Sequence, residues 1–165
     1  MEREIIEKLR KKNLTLSTCE SCTSGLLCST LTNIEHSSEV IIGGYITYTN
    51  EQKIRVGVSK QIIEKFGVYS LECAKEMARI CKINSKSKIG IGVTGTLGNL
   101  DPNNNDSKLG KIYYAIVMDI PNSNYVFTKE FEIILDNDDL SLDRYQQKKK
   151  VVQIILSNLN KLLKE

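Results

Sequence analysis

Residues Leu14-Thr-Leu-Ser-Thr-Cys-Glu-Ser-Cys-Thr-Ser-Gly-Leu-Leu-Cys-Ser-Thr-Leu-Thr32 decide how this chain is read. Leu14 to Cys19 alternates and is rich in β-formers, which predicts a strand. Glu20 to Gly25 is a short polar turn. Leu26, Leu27 and Leu31 then fall at helical spacing, which predicts a helix to about residue 33. A strand feeding a helix through a tight turn is the repeating unit of α/β folds.

Working outward, Ile5, Ile6 and Leu9 predict a helix over 2–12. Val40 to Tyr48 reads as a strand, with a bulge or close backbone approach at Gly43-Gly44. Ser59 caps a helix that stops at Gly67, and Ser70 caps the next, carrying Ala74, Met77, Ala78 and Ile80. Lys88 to Thr94 is a strand in which glycine replaces side chains on one face. Gly95 to Gly110 is a long polar loop, of a kind that is usually functional or mobile. Ile112 to Met118 and Tyr125 to Ile134 form a hairpin across Pro121-Asn122-Ser123-Asn124, and a closing helix begins near Leu140. The order α-β-α-β-α-α-β-β-β-α predicts an α/β fold, with a mixed sheet covered by helices on both faces.

The 165 residues suit one domain spanning 1–165, and 41% hydrophobic with 26% charged residues is ordinary for a globular protein. No apolar run approaches the roughly 20 residues that span a bilayer, and the N-terminus lacks the apolar core of a secretory signal. The expected location is cytoplasmic, with no membrane partner. Five cysteines, Cys19, Cys22, Cys28, Cys73 and Cys81, leave an odd thiol, which fits reduced side chains in a reducing compartment. Cys19-x-x-Cys22 has no second such pair and His36 is the only histidine, so no metal site is expected. A net charge of +3 and few aromatics argue against nucleic acid. Lys148-Lys149-Lys150 reads as a solvated helix end. The sequence is compatible with a homo-oligomer.

The turn after the first strand is where chemistry is expected. Backbone N–H groups at a helix N-terminus bind anions and steady a developing oxyanion. Ser21, Thr23 and Ser24 are all candidate nucleophiles on spacing alone, although plain N-capping would also account for them. His36, in a polar turn, reads as a surface residue. Lys53, placed just past an apolar strand end with Tyr48 nearby, can serve as a base if desolvation keeps part of it neutral. On composition alone it is equally one of many exposed lysines.

Resemblance adds to this. Glu20-Ser-Cys-Thr-Ser-Gly-Leu26 resembles the signature Ala-Glu-Ser-Cys-Thr-Gly-Gly of the CinA C-terminal domain family, the nicotinamide-nucleotide amidohydrolases. Gly44-Tyr-Ile-Thr-Tyr-Thr-Asn-Glu-Gln-Lys53 is similar to the family's Gly-Phe-Val-Thr-Tyr-Ser-Asn-Glu-Ala-Lys. Ser37-Ser38, Gly57-Val58-Ser59, Gly67-Val68, Ser70, Glu76-Met77-Ala78, Val93-Thr-Gly95, Gly98, Lys108, Gly110 and Asp143-Arg144 follow in the family's order. The resemblance implies a stand-alone domain with a three-layer α/β/α sandwich and a mixed, mostly parallel sheet. It implies a serine, a tyrosine and a lysine at work, which fall on Ser21, Tyr48 and Lys53. The N–H groups around Cys22, Thr23 and Ser24 are expected to hold the oxyanion, and Gly25, Asn50, Thr94, Gly95 and Arg144 to join them around the substrate. The implied reaction is deamidation of nicotinamide mononucleotide, a small-molecule partner, with no cofactor and no metal. Gly95 and Gly98 would let the loop backbone approach the ribose phosphate. Ser24 stands where the family has glycine, and Asn99 and the asparagines after it replace a Gly-Pro and a Gly-Gly. A catalytically weak nucleotide-binding or interaction module of the same fold is the alternative expectation.

Overall fold

A computed structural model of the protein describes residues 1–164. Ile5, Ile6 and Leu9 form the buried stripe of helix α1 (Glu2–Lys11), and strand β1 (Leu16–Glu20) is buried along its whole length. The turn after it leads into α2 (Leu26–Thr32). A single 3-10 turn, Ser37–Glu39, precedes β2 (Ile41–Ile46). Three helices follow, α3 (Asn50–Val56), α4 (Lys60–Phe66) and α5 (Leu71–Ser85). Strands β3 (Ile89–Gly95), β4 (Lys111–Asp119) and β5 (Val126–Ile134) complete the sheet, and α6 (Asn137–Ser141) and α7 (Arg144–Leu162) close the chain.

The expected caps are present. Ser59 Oγ accepts from the Ile62 N–H and Ser70 Oγ from the Cys73 N–H, while Gly67 ends α4 with φ +79°. Two boundaries differ from the sequence reading. The second strand stops at Ile46 rather than Tyr48, because Thr49 caps an unforeseen helix by accepting from the Gln52 N–H. Lys53 therefore sits on α3 rather than in a segment trailing a strand. The single closing helix is two, since Asp136 and Asp143 each accept from the N–H three residues on and start separate helices.

The sheet order is β2-β1-β3-β4-β5. Strands β2, β1 and β3 are parallel, β4 pairs antiparallel with β3, and β5 antiparallel with β4. Only β4 runs against the other four, so the sheet is mixed and mostly parallel as expected. The larger core lies on one face, where Leu16, Ile89, Ile91, Tyr114 and Ile116 meet α1, α2 and α7 through Leu9, Leu27, Val152 and Ile155. On the other face α5 presses directly on β3. A Cβ at Gly90 would strike the Ala78 carbonyl, and one at Gly92 the Ala74 carbonyl, so the glycine face of β3 exists to admit the helix. Gly43-Gly44 likewise marks an irregularity, since the β1–β2 register skips Ile42. Among the described residues no helix is long and apolar enough to cross a membrane.

This topology fixes where a site can form. The parallel strands β1, β2 and β3 end together, and Ser21, Thr47 and Thr96 follow their last residues. Such strand ends, beside a change of strand order, are where open α/β sheets place ligands.

Candidate active site

The turn of residues 21–25 is held from below by Glu20. Its carboxylate is fully buried and accepts from the N–H groups of Gly25 (2.9 Å), Leu27 (3.0 Å) and Cys28 (2.9 Å), and from the hydroxyls of Thr23 (2.7 Å) and Thr18 (3.1 Å). An anion at a helix N-terminus meets both the free N–H groups and the helix dipole. Five donors on one buried carboxylate make Glu20 the anchor of the turn. Glu20→Ala would leave those N–H groups buried without a partner, and is expected to cost about 3 kcal/mol or more. That corresponds to a fall in melting temperature of roughly 6–12 °C, measurable by calorimetry.

Ser21 stands at the top of this turn. Its N–H donates to the Val93 carbonyl at 3.0 Å, which ties the turn to β3. Lys53 Nζ donates to Ser21 Oγ (3.2 Å) and to the Thr47 carbonyl (2.8 Å). Lys53 is only 2% exposed, and burial pulls its pKa below the ordinary 10.5. Cys73, Cys19 and Cys22 would draw the ammonium form back if they were thiolates. Burial pushes their own pKa values up to about 12, 11 and 12, so at neutral pH they are uncharged and give no such help. A buried amine ringed by neutral thiols is what a lysine base requires.

The N–H groups of Cys22 and Thr23 have no hydrogen-bond partner among the described residues, whereas that of Ser24 donates to the Ser21 carbonyl. Of the three N–H groups expected for an oxyanion, two are therefore unpaired, and of these residues only Cys22 lines the cavity. Ser24 takes a left-handed conformation (φ +44°), which costs a side-chain-bearing residue about 1 kcal/mol. Lys148 Nζ donates to its Oγ and holds it there. The basic run at 148–150 is thus more than a solvated helix end. Lys148 reaches back across the fold to the turn of residues 21–25, while Lys149 lies over the Tyr145 ring and Lys150 pairs with Asp139.

A cavity of about 680 Å³ opens above this pair, lined by Ser21, Cys22, Tyr48, Asn50, Tyr69, Gly95, Thr96, Asn99, Asp101 and Arg144 among others. The long loop forms one wall and is tightly tied. Asp101 accepts from the Tyr69 hydroxyl (2.5 Å), Asn104 Nδ2 (2.6 Å) and the Asn103 N–H (2.8 Å), and Asn50 Nδ2 donates to Asn104 Oδ1 (2.8 Å). Burial raises the Asp101 pKa, but the bonds from Tyr69, Asn104 and Asn103 outweigh it and keep the carboxylate charged below its usual range. At the rim Arg144 donates to Asn99 Oδ1 and to the Tyr48 hydroxyl, both at 3.0 Å.

Of the residues singled out from sequence, Ser21 and Lys53 meet, and Cys22, Tyr48, Asn50, Gly95 and Arg144 line the cavity together with Ser21. Tyr48 is bonded to Arg144, not to Lys53 or Ser21, so its hydroxyl sits at the mouth of the pocket rather than on the pair. Thr23, Gly25 and Thr94 lie behind the wall. The first two serve Glu20, and Thr94 Oγ1 donates to the Val68 carbonyl at 2.9 Å. Gly95 has a structural reason beyond ligand approach, because a Cβ there would lie 2.6 Å from Ile112 Cα across the β3–β4 ladder. Gly95→Val is accordingly expected to lower yield and melting temperature before it alters any KM, a distinction that thermal denaturation and kinetics on the same preparation would make. Sequence reasoning missed Glu20, Tyr69, Thr96, Asp101 and Lys148. A buried Glu just before a Ser/Thr turn was the one available signal. His36 stays on the surface, paired with Glu39 at 3.2 Å.

Together these features define an α/β protein whose parallel strand ends carry a buried serine–lysine pair under a polar cleft. The sequence profile of the CinA C-terminal domain matches residues 1–162, and the chain belongs to that family. It is 42% identical over 118 residues to a Clostridium perfringens (strain SM101 / Type A) relative, covering 70% of this chain and 28% of the relative. It is 38% identical over 119 residues to a CinA-like protein of Pseudothermotoga lettingae, covering 70% and 29%. The chain thus spans less than a third of the length of these curated relatives. Among solved structures, the competence or damage-inducible protein of Enterobacter asburiae superposes with a TM-score of 0.82 at 24% identity, covering 98% of this chain and 95% of that one. The competence/damage inducible protein CihA of Agrobacterium tumefaciens gives 0.75 at 27% identity, covering 96% and 93%.

Proposed function

We propose that this chain is an amidohydrolase that converts nicotinamide mononucleotide and water to nicotinic acid mononucleotide and ammonia. The observation that carries this reading is the buried Lys53 amine at 3.2 Å from Ser21 Oγ on the floor of a cleft. In its neutral form the amine keeps one N–H on the Thr47 carbonyl and offers its lone pair to the serine proton. Ser21 Oγ then attacks the carboxamide carbon, and the unpaired N–H of Cys22, on the cavity wall, receives the oxyanion. The lysine returns its proton to the departing nitrogen as ammonia leaves. Water, deprotonated by the same amine, adds to the acyl-enzyme and frees the acid and the serine. Tyr48 and Arg144 at the rim supply a phenol and a cation suited to the nucleotide, whose phosphate is anionic. The steps need no metal or redox cofactor.

Ammonia release from nicotinamide mononucleotide, set beside nicotinamide riboside and free nicotinamide, tests the reading. Release from the mononucleotide in preference to the other two supports it. Saturable binding of the mononucleotide without ammonia would make the chain a nucleotide-binding module and overturn the amidase.

A further inference from the structure

Two oxygens of the cavity have no part in the chemistry above. Thr96 lines the cavity and is 4% exposed, and its hydroxyl has no hydrogen-bond partner. It faces Tyr69 without bonding to it in good geometry. A buried hydroxyl left alone costs stability unless a ligand completes it. Tyr69, on the same wall, donates its only proton to Asp101, so its oxygen remains as an acceptor. Burial and the Asp101 bond both keep that phenol protonated, and the Asn104 and Asn103 donors hold Asp101 in place. Neither Tyr69 nor Thr96 falls among the residues that carry the family resemblance.

We propose that Thr96 Oγ1 and Tyr69 Oη form an acceptor pair that reads a hydrogen-bond donor of the substrate, with Thr96 as a specificity-determining residue. A phenol oxygen without a spare proton, backed by a carboxylate, favours a donor and disfavours an anion. The reading under Proposed function supplies two such donors, the carboxamide NH2 and the ribose hydroxyls. If the donor is the amide, Tyr69 Oη has no proton to offer the carboxylate product and disfavours it relative to the amide, which speeds its departure.

The test is calorimetric binding in a Ser21→Ala background, where no turnover intervenes, with nicotinamide mononucleotide, nicotinic acid mononucleotide and nicotinamide as titrants. Thr96→Val keeps the shape and removes the hydroxyl, and Thr96→Ser restores it. For an amide contact, Thr96→Val weakens the amide nucleotide about tenfold or more and leaves the acid unchanged. For a ribose contact, it weakens both nucleotides alike and leaves nicotinamide unchanged. In either case Thr96→Ser recovers binding, and the melting temperature of the unliganded Val variant does not fall. Equal binding of all three titrants by Thr96→Val and its parent overturns the inference. So does a Val variant that melts lower and is not rescued by Ser, since the hydroxyl would then be structural. The amidase reading fails separately: a parent that binds neither nucleotide removes both proposals, whereas a parent that binds the nucleotides and a Val variant that binds them equally removes only this one.

Discussion

Ser21→Ala is expected to lower turnover about 10⁴- to 10⁶-fold, the range seen when a nucleophile is removed from a site that works as a unit. The fold should survive, because the Ser21 side chain bonds only to Lys53 and the turn is held through Glu20 and the Ser21 N–H. The melting temperature should therefore stay near that of the parent. The neighbouring thiol gives the control. Cys22 is 3% exposed and burial pushes its pKa up to about 12, so it is neither ionised nor open to attack a substrate. Cys22→Ser should keep most of the activity. Stopped ammonia assays on the two variants decide the matter. Loss of activity on thiol alkylation, with Ser21→Ala still active, would transfer the nucleophile to sulfur.

Lys53→Arg carries the second large effect. A guanidinium stays protonated at any working pH and is bulkier than the amine, so it can neither accept the serine proton nor fit where the lysine lies. Activity should fall by about 10²–10⁴-fold, the usual contribution of a general base. In the parent, the rate should rise with pH through the lowered lysine pKa, as the neutral fraction grows. Stability should follow the same group in a definite direction. Burial lowers the folded pKa of Lys53 below 10.5, so the unfolded chain binds the extra proton. The stability that Lys53 withholds is fully restored only above 10.5, and declines as pH falls toward the folded value. Lys53→Met should be inactive, should melt higher than the parent at neutral pH, and should lose this slope. A Lys53→Arg enzyme with activity near the parent's would show that the residue supplies only charge, and would end the serine–lysine mechanism.

How much of this was legible in the sequence depends on the range of the forces involved. Strands, caps and the glycine face of β3 are written locally, in Ser59, Ser70, Gly67 and the alternation of Lys88 to Thr94, and these elements were found. The helix α3 was missed because Thr49 followed an apolar strand without a break, and its cap is visible only once the chain turns. The split of the last helix escaped for the opposite reason, since two aspartates in a row of polar residues look like surface. Local sequence raised Ser21 and Lys53 only as separate candidates among others, and motif resemblance singled them out together, because 32 residues separate them. Lys148 lies 124 residues from Ser24, and Asp101 lies 32 from Tyr69, so no local pattern could announce either contact. Glu20 was in plain view in the signature. Its role depended on α2 pointing its N-terminus back at β1, which only the fold reveals.

The position of α7 ties the rim of the cleft to the interior of the molecule. Residues 1–143 contain the serine, the amine and the long loop, whereas Arg144 and Lys148 are carried by α7. The same helix brings Val151, Val152, Ile155, Leu156 and Leu159 into the larger core. The helix that clamps the turn and rims the cleft is therefore seated by the core itself. A change that unseats α7 would slacken the turn and open the rim at once, so the shape of the cleft is tied to the packing of the core.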